Sequence, residues 1–181
     1  KLAQDLFPRP AQQILGPGTL LDSARLRWRI AERLQINTTN VHGYVLGEHG
    51  DSEFVAWSTV TAADSVSAKD RNEIETSVKN EAYEIIQGKG ATYFGIGGAT
   101  IKLLSAIIND TKEVMPVSTQ CAELKEYGVD QTPIGVPAVI GKLGVERTLP
   151  LTLSNEEKEQ LAASAEKIKQ LYQDNASCLN Q

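Results

Sequence analysis

His49 lies in the run Gly47-Glu48-His49-Gly50-Asp51. The glycines on either side let the backbone turn sharply and let a ligand approach the ring. Glu48 and Asp51 add acidic neighbours. An imidazole near its ordinary pKa gives and takes a proton near neutrality, which suits general acid/base work. Taken alone, these five residues also fit a structural loop histidine. A second cluster is Asp22-Ser23-Ala24-Arg25-Leu26-Arg27. Asp22 and Arg25, three apart, share one helix face, while Arg27 points roughly 200° around the helix from Arg25. Such a cluster also fits a solvated face with a local ion pair. Against that, Asp22 follows Leu20-Leu21 and precedes Ala24, a setting that turns it inward. A buried carboxylate must have a partner, and a histidine would serve. A carboxylate on one imidazole nitrogen fixes the tautomer and favours the protonated ring. The other nitrogen is then free for a carbonyl or hydroxyl, and an arginine grips a planar carboxylate through two parallel hydrogen bonds. Together these groups suit a 2-oxo or 2-hydroxy acid, with the hydride coming from elsewhere.

The elements that must position them follow from periodicity and punctuation. Residues 1–6 read as a helix end stopped by Pro8 and Pro10. After the turn Gly16-Pro17-Gly18-Thr19, the stripe Ala24, Leu26, Ile30 and Leu34 predicts an amphipathic helix over 20–34. Strands are expected at 41–46 and 53–60, either side of the His49 loop. A helix is expected over 65–87, with Ile74, Val78, Ala82, Ile85 and Ile86 on one face, closed by Gly88-Lys89-Gly90. A glycine-weakened helix over 93–108 follows. Short strands are expected at 113–118, 137–140 and 145–149. Ser154-Asn155-Glu156-Glu157 is a capping-box pattern opening a last helix, with Leu161, Ala165, Ile168, Leu171 and Tyr172 on one face. Strands and helices interleave without a regular βαβ rhythm, so the fold class expected is α+β, long helices packed on a twisted antiparallel sheet. Gly95-Ile96-Gly97-Gly98 lies in an apolar helical stretch rather than after a strand, and so fails the context of a dinucleotide fingerprint.

The chain has 181 residues, 41% of them hydrophobic and 23% charged, enough for one compact domain with a sizeable core. A net charge of −5 argues against nucleic acid or an anionic membrane as a general partner. A local anion site stays open, because it needs only two or three converging cations. No apolar run reaches the roughly 20 residues of a membrane span. Cys121 and Cys178 have no metal or disulfide spacing and read as free thiols of a reducing compartment, so a cytoplasmic location is expected.

The segments 16–27 and 41–53, with Ala82 to Ile86 and Gly88 to Tyr93, resemble characteristic stretches of L-lactate dehydrogenases, within the lactate/malate dehydrogenase family. Pro133 to Thr148 and the last helix are similar to the family's late strands and C-terminal helix. The resemblance covers nearly the whole chain and implies the C-terminal, catalytic half of such an enzyme. It implies His49 as acid/base, Asp22 as its partner, Arg25 on the substrate carboxylate and Thr92 in the substrate pocket, where a helix-capping role is the other reading. Members regulated by fructose 1,6-bisphosphate have an arginine and a histidine at the places of Arg27 and His42. His42 also fits a strand residue facing solvent. The resemblance further implies pyruvate and L-lactate as substrates, NAD as cofactor and a homotetrameric parent. Malate, L-2-hydroxyisocaproate or a non-catalytic module keeping the fold are the alternatives. Residues 1–18 are expected to be a remnant of a nucleotide-binding domain and its connection, and 19–181 the substrate-binding domain. The helix near 93–109 is expected to pack on the missing half, and the chain alone is expected to be inactive. Pro17 replaces a common serine, and 59–71 reads as a shortened surface connection.

Overall fold

A computed structural model describes residues 1–120, 124–129 and 131–176. Cys121 and Cys178, read as free thiols, lie outside the described residues. The architecture is α+β, as the sequence predicts. Among the described residues, five α-helices surround two small antiparallel sheets: α1 (Leu2–Leu6), α2 (Leu20–Leu34), α3 (Ala68–Lys89), α4 (Phe94–Ile108) and α5 (Asn155–Asn175). Strands β1 (Tyr44–Leu46) and β2 (Phe54–Ala56) form a hairpin around the His49 loop. Strands β3 (Glu113–Thr119), β4 (Ile134–Gly141) and β5 (Gly144–Thr148) form a second sheet in that order. Gly47 and Gly135 exchange two backbone hydrogen bonds, of 3.1 and 2.9 Å, which fasten the start of the His49 loop to β4. No helix among the described residues is long and apolar enough to cross a membrane.

Every residue of β4 is buried, so it is the central partition of the core. Leu46, Phe54, Ile134 and Val136 pack against Leu161 and Ala165 of α5. Leu26 and Ile30 of α2 pack with Val45, Val55, Ile74 and Val78, joining α2, the hairpin and α3. Leu20, Met115, Val117, Ala138 and Ile140 meet Leu103 and Ala106 of α4. Residues before α2 lie against the second sheet, where Gly16 pairs with Ser118.

Helix α2 has the bounds that its periodicity predicts. Ser154 and Glu157 form the expected capping box on α5, and Gly90 closes α3 with φ 82°. The two strands around His49 are shorter than expected. Thr61 N donates to His42 O, and Thr59 Oγ1 accepts from Tyr44 N, so residues 42–44 pair first with a turn. On the other side Ser58 N donates to Glu157 Oε1, and Thr59 Oγ1 donates to Ala56 O, which bends 57–59 into a 3-10 turn. The connection 59–71 is less superficial than expected, since Val60 and Val66 enter the core. Helix α3 starts later than expected because Ser67, not Ser65, accepts from a backbone N–H, that of Asp70. Its expected stripe is buried only at Ile74 and Val78; Ile86 is exposed. In α5 the far end of the stripe, Leu171, is likewise exposed. Strand β4 starts before Pro137, which stands opposite Pro116, so the two missing N–H groups coincide. The Pro137 carbonyl still accepts from Leu149 N at 2.9 Å.

Candidate active site

Asp22 stands in the first turn of α2, where the unpaired N–H groups of a helix start favour an anion. Ser23, next to it, accepts from Val45 N at 2.9 Å and so locks this turn onto β1, the strand that leads into the His49 loop. At Gly47 the chain adopts φ 103°, and a Cβ there would come within 2.7 Å of Ser164 Oγ. Both facts require glycine. The same Ser164 hydroxyl accepts from Glu48 N at 2.7 Å and lies 3.0 Å from Ser52 Oγ, so α5 grips the loop from behind. Lys167 of α5 adds an ion pair to Glu48 at 2.9 Å.

The result is a bridge of charges. Asp22 is 1% exposed and its two oxygens face two different cations. Oδ2 lies 2.8 Å from His49 Nδ1, and Oδ1 accepts from Arg25 Nη1 at 3.1 Å. Arg25, 8% exposed, also donates from Nε to Glu81 Oε1 of α3 at 3.1 Å. Among the described residues its Nη2 has no partner. The imidazole side chain is 53% exposed, and with Nδ1 turned to Asp22 its Nε2 is the nitrogen left for a ligand. Contact with Asp22, then with Glu53, raises the His49 pKa from 6.5 to about 10 against the opposing effect of burial. The ring therefore carries a proton through neutral pH.

These groups open on one cavity of about 360 Å³, lined by Asp22, Arg25, His49, Glu53, Lys79 and Tyr83 among others. A larger cleft, about 620 Å³, lies between α3 and α5, but it contains neither histidine. Its Arg71 is already committed to the carbonyls of Val66 and Ala63. The smaller cavity is thus the one of the two that brings His49 together with Asp22 and Arg25. Asp22, His49 and Glu53 also offer metal-ligand atoms within 4.8 Å of one another. Two ligands of a tetrahedral zinc bonded at ~2.0–2.1 Å would stand about 3.4 Å apart. The 2.8 Å between Nδ1 and Oδ2 is too short for that and is instead the distance of a close ion pair.

The other expected site residues lie elsewhere. Thr92 is exposed between α3 and α4, makes no cap on α4, and is not among the residues lining the cavity. Arg27 is half-buried, its pKa lowered by that burial, and its Nη1 reaches Gly43 O at 3.5 Å. This brings it to the backbone beside His42, which is exposed just before β1.

Residues 19–177 match the family model for the lactate/malate dehydrogenase α/β C-terminal domain. The chain belongs to the lactate/malate dehydrogenase family. It is 39% identical over 173 residues to L-lactate dehydrogenase 1 of Listeria monocytogenes serovar 1/2a, covering 91% of this chain and 55% of that protein. It is 42% identical over 175 residues to the L-lactate dehydrogenase of Mesomycoplasma hyopneumoniae, covering 90% and 55%. A solved lactate dehydrogenase from a Medee basin deep-sea metagenome library superposes with a TM-score of 0.88 at 39% identity, over 92% of this chain and 56% of that one. The chain therefore spans about half the length of the relatives it matches.

For a member of the lactate/malate dehydrogenase family, the sequence reading missed three residues of the site. Glu53, 5% exposed, is the second carboxylate on His49, at 3.6 Å from Nδ1. Its place four residues after the histidine was the available signal. Glu81 and Ser164 left no local signal, since packing alone brings them to Arg25 and to the His49 loop. Conversely, Glu48 and Asp51, acidic neighbours in sequence, turn to Lys167 and to the Tyr83 hydroxyl.

Proposed function

We propose that this chain carries the substrate-binding and acid/base part of an L-lactate dehydrogenase, interconverting pyruvate and L-lactate. The observation that carries this reading is Asp22 joining His49 and Arg25 at 2.8 and 3.1 Å on one cavity. Arg25 takes the substrate carboxylate through the Nη2 edge of its guanidinium, replacing water with charge-assisted bonds. That anchor sets the 2-oxo group towards His49. Protonated His49 donates from Nε2 to the carbonyl oxygen as the carbon is reduced, and in the reverse direction the neutral ring accepts the proton of the 2-hydroxyl. Asp22 keeps Nδ1 protonated throughout, so that one ring nitrogen does the transfer.

NAD, which the family resemblance implies, supplies or accepts the hydride when bound. The described residues do not fit it as a cradle: Gly95, Gly97 and Gly98 are inside α4, and no glycine turn joins a strand to a helix start. In this reading α4 packs on a nucleotide-binding domain, and residues 1–18 belong to the connection with it. Thr92, exposed and outside the lining of the His49 cavity, is assigned to the substrate pocket by the family resemblance alone. Arg27 and His42 form one share of a fructose 1,6-bisphosphate site between subunits of a cytoplasmic homotetramer, a placement supported by the approach of Arg27 to Gly43.

The test joins this chain to the amino-terminal half of a relative and follows NADH oxidation with pyruvate, oxaloacetate and 2-oxoisocaproate. Pyruvate is expected to be the best substrate. Loss of general acid/base catalysis in His49→Asn should lower the rate by about 10²–10⁴-fold. Unchanged turnover in that variant would leave a non-catalytic module as the better reading, and a faster rate with either other acid would change the substrate.

A further inference from the structure

Glu53 is a buried carboxylate whose retention calls for a physical reason. It stands just before β2, 5% exposed, and among the described residues its Oε2, like Asp22 Oδ2, accepts no well-aligned hydrogen bond. An unsatisfied carboxylate oxygen in that setting is costly unless a charge compensates. The nearest compensation is His49 Nδ1 at 3.6 Å, on the same edge of the ring that meets Asp22 at 2.8 Å.

We propose that Glu53 is a positioning residue that acts through His49: it is a second anion at Nδ1, which tightens the hold of the ring on its proton and keeps the ring edge turned inward. This deepens the reading of His49 as the acid/base and rests on it. Nδ1 carries one proton, and Asp22 is the closer acceptor. Glu53 therefore adds charge rather than a strong bond, and its influence falls on the proton affinity of the whole imidazole, Nε2 included.

The surrounding charges leave room for that influence. From α2, Asp22 is shared with Arg25, and Arg25 is shared with Glu81 of α3. Lys79 of α3 also favours an ionised Glu53, while Asp22 opposes it. Within the loop, Glu48 is paired with Lys167 of α5, and Asp51, which lines the same cavity, accepts from the Tyr83 hydroxyl of α3 at 3.5 Å. Burial pushes the Glu53 carboxyl above its ordinary range, and contact with His49 offsets this only in part. Each of the two groups thus favours the charged form of the other.

The chain has two histidines, so ring-carbon NMR reads His49 directly, with His42→Gln assigning the other signal. Glu53→Gln removes the charge while keeping the shape. It should lower the His49 titration midpoint by about one pH unit, a tenfold loss of proton affinity. Glu53→Asp keeps the charge but withdraws it, and should lower the midpoint by less. A purely structural Glu53 would change the unfolding midpoint and leave the His49 titration where it was. An unmoved midpoint in Glu53→Gln overturns the proposal. Should that variant not fold, an unmoved midpoint in Glu53→Asp does the same. The measurement needs no turnover, so it can fail while His49→Asn still lowers the rate as expected, or succeed while it does not.

Discussion

One carboxylate decides the electrostatics at the scale of single residues. Asp22 faces His49 Nδ1 with one oxygen and Arg25 Nη1 with the other, which in the proposed reading holds the proton carrier and the carboxylate receptor in a fixed relation. The cost of burying it is offset by two cations and the helix start beneath it. A pH dependence follows. His49 binds its proton more tightly in the fold, at about 10 against 6.5, so the stabilisation is fully present below pH 6.5. It is lost progressively as pH rises from 6.5 to about 10. Urea midpoints should fall across that interval, and His49→Gln should flatten the fall. Because the ring is half-exposed, solvent reduces the size of the effect but not its sign. An equal fall in both proteins would show that the ring is not held charged. For the proposed reaction, the same raised affinity keeps proton donation available well above neutrality, while oxidation of the hydroxy acid should quicken as the ring is neutralised.

At the scale of elements, the His49 loop is held by packing from three sides: β4 through Gly135, α2 through Ser23 and β1, and α5 through Ser164. Gly47 is where these meet. Gly47→Ala combines an unfavourable φ of 103° with an approach of 2.7 Å to Ser164 Oγ. It should lower stability by about 1–3 kcal/mol, the usual cost of such strain, measured as a shift in the urea midpoint. A midpoint within error of wild type would mean that the loop relaxes freely. These contacts also explain what the sequence made legible. Helix α2 and the capping box of α5 depend on neighbours within four residues, and both were readable to their ends. The strands around His49 were overextended because their ends are set by distant partners. Ser58 N is taken by Glu157, 99 residues away, a bond that no local pattern announces. The site divides the same way. His49, Asp22 and Arg25 sit in recognisable strings, whereas Glu81 and Ser164 become partners only once α3 and α5 have packed.

At the scale of the whole molecule, helix α4 is at odds with an isolated domain. Leu103 and Ala106 enter the core, but Phe94, Ile101, Leu104 and Ile108 are exposed, Ile101 at 70% and Ile108 at 78%. Single exposed apolar residues are ordinary; a helix that is apolar on its inner and outer faces is built to be covered on both. The proposed reading gives that outer face to a nucleotide-binding domain, which would also bring a hydride donor towards the cavity of His49. Burying one isoleucine is worth about 1.5–3 kcal/mol, so charging two of them should weaken such docking by roughly 150-fold or more. The double variant Ile101→Lys, Ile108→Lys should therefore fail to associate with the amino-terminal half of a relative supplied as a separate chain. Its own unfolding midpoint should stay near wild type, since both side chains are already in water. Titration calorimetry of the two halves measures the first effect and urea unfolding the second. Association of undiminished strength would move the partner to another face. Loss of stability in the variant would instead mean that Ile101 and Ile108 already support this domain, and that α4 is simply its outer wall.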